Sequence, residues 1–342
     1  MSEFGSKAAW AAAIGLAMSC AAPAAAQSGG NGGNARTWVS AYGDDTNPCT
    51  PTGPCKTFAG AYDKTVAGGE INCLDPSGFG QLVITKSITI LCDYLEAGVL
   101  VSSVDGIPGN NDGITINGSG IIVELAGFDL EGLRNAGSAS VNGITIVNAA
   151  MVTVRNSKVR GFTKGYGIRF APAAGTSNLI LDHVAVAENG AAAYPASGGI
   201  AVLPGTDATA QLTVLDSRVT NNANVGIRLE TTGAARATIT ATVARTDIVN
   251  NVSGLMAKAP RDTGAINFLL RDSNVTLNST YGVVTNAGTA GALTGRVADT
   301  AITANGTGVL HAGTSVLASY GSNLVGGNGV DGSFSTPGLV PQ

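Results

Sequence analysis

The chain has 342 residues and a formal net charge of −4, and only 12% of its residues are Asp, Glu, Lys or Arg. No basic stripe runs through it, which excludes partners held by phosphate neutralisation, nucleic acid first among them. Its 44% hydrophobic content is too high for a disordered chain, while 48 glycines and 5% aromatic residues favour short strands and turns.

Residues 1–26 read as a secretory signal peptide. Lys7 precedes an alanine-rich apolar run over 8–20, and Ala24 and Ala26 stand just before Gln27 as small residues suited to cleavage. The run is too short and too poor in large side chains for a membrane span. Export is therefore expected, to the periplasm, the cell surface or the exterior, with no membrane span left after cleavage.

Residues 27–36, rich in Gly, Ser and Asn, read as a flexible linker. Over 37–70 the pattern predicts an N-terminal cap built on an amphipathic helix at 57–66, with Phe58, Ala61, Tyr62 and Val66 on its apolar side. Four cysteines remain after cleavage, Cys49, Cys55, Cys73 and Cys92, and an even number in an exported chain predicts disulfides. Three connectivities are open. Cys49 with Cys55 would staple one loop, and Cys73 with Cys92 would join neighbouring strands one short coil apart. Zinc is disfavoured, since the cysteines have neither a C-x-x-C pair nor a nearby histidine.

From residue 71 the chain enters a repeat. A glycine followed by an aliphatic residue recurs at Gly113, Gly143, Gly167, Gly199, Gly226, Gly254, Gly282 and Gly308. In phase with it runs a branched apolar residue with an asparagine three places later: Val186 and Asn189, Val219 and Asn222, Ile248 and Asn251, Val275 and Asn278, Ile302 and Asn305. A period of about 27 residues means a solenoid, whose coils bury their apolar faces only against one another. The apolar runs are short, β-branched and broken by Gly, Asn, Asp and Ser, so the coils are strands and turns, three strands to each. Stacking at about 4.8 Å turns every position into a ladder. The carboxamides of Asn189, Asn222, Asn251, Asn278 and Asn305 can then each donate to one coil and accept from another. The glycine suits a corner with positive φ or a close backbone approach. Early in the repeat, Asp105, Asn111 and Asp112 gather enough oxygen donors to offer Ca²⁺ a site, the one cofactor the sequence suggests; turn formation accounts for the same residues and is the preferred reading.

The opening stretch 36–80, with its G-D-D-T-N-P turn, its P-C-K-T-F helix start and its Gly68-Gly69 corner, and the repeat behind it resemble the exported parallel β-helix proteins of the pectate-lyase-like superfamily. The resemblance implies a right-handed helix and a polysaccharide partner. The expected fold is thus all-β: a right-handed parallel β-helix solenoid of about ten coils over 71–330, behind an N-terminal helix cap. A tail over 331–342 would lie across the far end, where the exposed edge invites self-association.

Insertions at 171–177, 187–197 and 204–209 cluster around the coils of Ile168, Ile200 and Ile227, where the sequence is also most charged. Arg155, Lys158, Arg169, Asp182, His183, Arg218, Arg228 and Glu230 are expected to form one binding strip there. Asn156, His183, Asp216, Arg245, Asp272 and Asp299 hold one position in successive coils. Two catalytic arrangements follow. His183 held by Asp216 would serve as a base, with Arg169 and Arg228 neutralising a substrate carboxylate; or Asp272 and Asp299 would act as a glycosidase pair. The alternative, an ion ladder through Asp216, Arg245 and Asp272, needs no substrate and is preferred. The acid cluster and arginine of pectate lyases and the N-T-D, D-D and G-H-G motifs of polygalacturonases do not occur, so no family catalytic residue is carried over. The leading expectation is non-catalytic binding of an extended polysaccharide or a rigid surface or matrix role. A lyase or hydrolase for an acidic glycan, and a bare scaffold or assembly subunit, are the alternatives.

Overall fold

The computed structural model describes residues 33–101, 111–134, 141–259, 264–335 and 338–339. The leader at 1–26, most of the linker and Asp105 lie outside these. Within them the strands form a nineteen-stranded and a ten-stranded sheet, and the helix Phe58–Lys64 stands near the start. The ladders are parallel. Ten strands in the smaller sheet delimit about nine turns, and the β-solenoid expected from the repeat is what the chain forms.

One coil shows why the sequence repeats as it does. Strand Thr209–Leu215 runs to a corner at Asp216; Arg218–Thr220 runs to a second corner at Asn221; Val225–Glu230 crosses the third side. Both corners are single residues in the left-handed region. The first holds Asn156, His183, Asp216, Arg245, Asp272 and Asp299 at φ between 47° and 54°, and the second holds Glu188, Asn221, Asn250, Leu277 and Ala304 at φ between 54° and 58°. Each such non-glycine residue costs about 1–2 kcal/mol, so its neighbours must repay it with hydrogen bonds.

The repayment is visible on both sides. After the first corner Ser217 Oγ accepts from the Val184 N–H of the preceding coil at 3.0 Å and donates to the Leu215 carbonyl at 2.6 Å; Ser273 does the same for Thr246 and Arg271. After the second comes the asparagine ladder. Asn222 Nδ2 donates to the Val186 carbonyl and to Asn251 Oδ1, both at 3.0 Å, and Asn222 N–H donates to that same Oδ1. Asn189, Asn251, Asn278 and Asn305 repeat the pattern, and Asn328 carries it one coil further. Beside it Val219, Ile248, Val275 and Ile302 form a fully buried file in strict register.

The recurring glycine is explained by proximity, not by φ. A Cβ on Gly226 would lie 2.8 Å from the Gly254 carbonyl oxygen and 3.0 Å from Asn251 Nδ2. The glycine vacates the space that the ladder carboxamide fills, which is why the two phrases keep phase.

Three expected boundaries move. The linker does not reach Arg36, because strand Asn34–Val39 already pairs with Thr65–Cys73. The helix ends at Lys64 and not Val66: β-branched Thr65 and Val66 join that pairing strand instead. Thr57 caps its start, accepting from Gly60 N–H, and Phe58 packs between Phe79 and Phe128 with centroids 5.1 and 5.2 Å away. At the far end the coils run to Gly332, since Val330–Gly332 pairs with Thr307 and Val309. Beyond it Phe334 packs on the core, and Ser335 and Leu339 donate to the Leu317 and Ser319 carbonyls. The open connectivity of the cysteines resolves as Cys49–Cys55 and Cys73–Cys92, with Cα separations of 4.7 and 5.0 Å.

Candidate functional site

The residues expected to form one charged strip stand on two different sheets. Arg155, Lys158, Asp182, His183 and Arg218 lie on or at the first corner of the nineteen-stranded sheet, whereas Arg169, Arg228 and Glu230 project from the ten-stranded one. The proposed base and its neutralising arginines are therefore not brought together. The left-handed corners between the two sets turn the chain to another face.

At the first corner the charges pair among themselves. His183 Nδ1 lies 2.7 Å from Asp182 Oδ1, so its partner is its sequence neighbour and not Asp216. Asp216 receives a two-pronged contact from Arg245, Nε to Oδ1 and Nη2 to Oδ2 at 2.7 Å each, and this guanidinium holds its carboxyl below the usual range. Asp272 is hydrogen-bonded to Arg271 at 2.6 Å and acts on Arg245 through its charge alone, so the ladder through Asp216, Arg245 and Asp272 has one bonded pair and a third member that joins it electrostatically. Asp272 and Asp299 do line one shallow hollow with Ser273 and Ser322, but one of the two carboxylates is already committed to Arg271. Asp182, His183 and Asp216 offer donor atoms within 4.8 Å of one another, a set of the chemistry a divalent cation accepts, with Arg245 as its competitor. Arg155 contacts Asp93 and Glu124, and Arg218 reaches Asp247 at 3.4 Å. Lys158 stands next to Asp129 in the register. Of the donors weighed for Ca²⁺, Asp112 accepts from Asn142 through Oδ1, at 2.9 and 3.0 Å.

The outer face of the ten-stranded sheet is different in kind. Its middle column reads Thr145, Arg169, Ala201, Arg228, Met256, one residue per coil. Outside the core, Tyr166, Ala201 and Val225 form a separate buried cluster with Leu203 and Met256 against it. Arg228 is 20% and Glu230 11% exposed in their mutual ion pair, and Arg228 Nη1 donates to Tyr166 Oη at 3.4 Å. Burial pushes the Tyr166 phenol above its ordinary value, and both Arg228 and Arg169 act on it in the opposite sense. Arg169 itself has no carboxylate partner among the described residues, and its register neighbour Thr145 buries a hydroxyl with no hydrogen-bond partner.

No protein-family model and no curated protein matches this sequence. Among solved structures, pectate lyase Pel9A is similar with a TM-score of 0.57 at 12% identity, covering 84% of this chain and 72% of its own. A rhamnogalacturonan lyase (TM-score 0.43, 12% identity, 88% of this chain and 89% of its own) and the enzymatically active domain of bacteriophage CBA120 tailspike protein 2 (0.41, 12%, 74% and 43%) are more distant. The chain has the pectate-lyase-like β-helix fold. At this identity the likeness is one of fold, and function must be argued from the residues of this β-helix.

Reading the sequence for charge alone missed Tyr166 and Thr145. A signal for both existed: in the β-helix repeat, Tyr166 stands one place before the recurring glycine, and the outward column lies two places after it.

Proposed function

We propose that this β-helix protein binds an extended anionic polysaccharide along the outer face of its ten-stranded sheet, without cleaving it. The observation that carries this is Arg169, a half-buried cation without a carboxylate partner among the described residues, between the unpartnered Thr145 hydroxyl and an apolar cluster built on Ala201. Arg228 lies two strands further along, about 9.6 Å by strand spacing. A polymer repeating a carboxylate along its length pairs with Arg169 and passes the Arg228 guanidinium, whose charge Glu230 balances, as a hydrogen-bond donor. Against catalysis, Glu230 is committed to Arg228 and to Thr232 Oγ1, and His183 stands on another sheet. Two disulfides suit an oxidising compartment, so the working place is the periplasm, the cell surface or the exterior.

The test is calorimetric titration with oligogalacturonate and oligomannuronate, alongside ultraviolet absorbance of unsaturated products and reducing-end release, with and without Ca²⁺. Binding without turnover is expected, weakened at least about tenfold, or about 1.4 kcal/mol, in Arg169→Ala. Turnover would replace this reading with a lyase or hydrolase. Affinity unchanged in Arg169→Ala would remove the site.

A further inference from the structure

The first strand carries a surface hollow that neither the charged corner nor the Arg169 face explains. It is lined by Ala35, Arg36, Trp38, Gly68, Gly69, Glu70 and Thr89, on the outer side of the nineteen-stranded sheet. Trp38 is half-buried and is the one tryptophan outside the segment 1–26. Gly68, which shares the lining, is in the left-handed region at φ +76°, and a Cβ there would meet nothing within 4 Å, so no side chain fills that part of the hollow.

The polar side of the hollow is arranged and neutral. Glu70 Oε1 accepts from Arg36 Nε and from Asn72 Nδ2, both at 2.9 Å. The carboxylate and guanidinium cancel each other's charge yet keep further acceptor and donor positions directed outward. A flat apolar ring beside a fixed, uncharged set of donors and acceptors complements a flat ligand with one C–H face and a rim of hydroxyls.

We infer that this hollow is a subsite for a neutral sugar ring, stacked on Trp38 and hydrogen-bonded at its edge by Glu70, Arg36 and Asn72. Its chemistry differs from that of the Arg169 face, which presents an unbalanced cation. The two sites stand on different sheets, so each can be altered without touching the other.

The test uses the full chain with Trp10→Phe, which leaves Trp38 as its only indole. Its fluorescence is titrated with cellohexaose, mannohexaose and xylohexaose, and with oligogalacturonate for comparison. A saturable emission change is expected with at least one neutral hexasaccharide. The variants are compared by calorimetric titration, which needs no indole: affinity should fall at least about tenfold in Trp38→Ala and in Glu70→Ala, fall less in Trp38→Phe, and stay unchanged in Arg169→Ala. Thermal melts accompany each variant, and Trp38→Phe and Glu70→Ala decide the matter if Trp38→Ala does not fold. The inference is overturned by a flat emission up to about 10 mM of all three neutral sugars. Tighter binding of oligogalacturonate, equal affinity in Glu70→Ala, or loss of neutral-sugar binding in Arg169→Ala would overturn it equally. The Arg169 proposal can fail without touching this result, because the Trp38 emission reads only its own hollow.

Discussion

Replacing Asn251 by alanine should be among the most damaging polar substitutions in this protein. Its side chain accepts from Asn222 N–H and Asn222 Nδ2 at 3.0 Å each, and donates to the Val219 carbonyl at 3.0 Å and to Asn278 Oδ1 at 3.1 Å. On deletion Asn278 Oδ1 keeps the Asn251 backbone N–H, and Asn222 Nδ2 keeps Val186. One buried backbone group, Asn222 N–H, is stranded, while the Val219 carbonyl keeps its place in the ladder with the strand of Ile248. At about 1–3 kcal/mol for the stranded group and about 1 kcal/mol for the bond lost at the carbonyl, the cost is about 2–4 kcal/mol. The matched control is Asn274→Ala, whose exposed amide donates to Asp247 at 2.9 Å and should cost no more than about 0.5 kcal/mol. Asn251→Asp adds a second reading. It keeps the acceptor for Asn222 but turns an oxygen towards two others, which raises its folded pKa. Relative to the parent at the same pH, its deficit should be smallest below about pH 3.9 and grow as pH rises to that folded value. The assay is urea unfolding by circular dichroism across pH, with hydrogen exchange to localise the loss to the coils around Asn222 and Asn278, since a solenoid couples chiefly to its nearest neighbours. If Asn251→Ala loses no more than Asn274→Ala, the asparagine file does not support the corners and the account of the repeat is wrong.

Two further outcomes are expected. Cys73→Ser with Cys92→Ser opens a link of sequence separation 19 and should cost about 3 kcal/mol in urea; an unchanged midpoint would mean the bridge does not restrain the unfolded chain. Arg245→Ala should raise the Asp216 pKa back towards 3.8, read by carboxyl NMR titration. Because the folded pKa is depressed, the parent pair contributes above the unfolded value and loses its contribution as pH falls through the folded one. With both groups at the surface this effect on stability is small, so the titration, and not the melting temperature, is the measurement that can contradict it.

The repeat was legible in the sequence because a solenoid writes the same contact in every coil. Val219, Ile248, Val275 and Ile302 had to stack once the period was seen, and they do. The asparagine file followed from hydrogen-bonding capacity alone. The candidate site was less legible. Asn156, His183, Asp216, Arg245, Asp272 and Asp299 stood out as one position in successive coils, and that position proves to be a left-handed corner, where the backbone turns and small or polar residues tolerate positive φ. Its charges were visible; that Arg245 takes Asp216 while His183 takes Asp182 was not, because partner choice depends on where each side chain leaves its corner.

By itself, then, the amino-acid order determined the coil length, the parallel stacking and the residues inside, since each follows from a period acting on apolar side chains and carboxamides. Tertiary structure decided which outward residues share a face. The corner at Asn221 separates the Asp216 corner from Arg228 within one coil, and the direction the chain takes after each corner sets whether charges close in sequence become neighbours in space. That is why Arg169 has no carboxylate partner among the described residues and lies beside a buried tyrosine, while the histidine with which it was expected to act stands on another side of the solenoid.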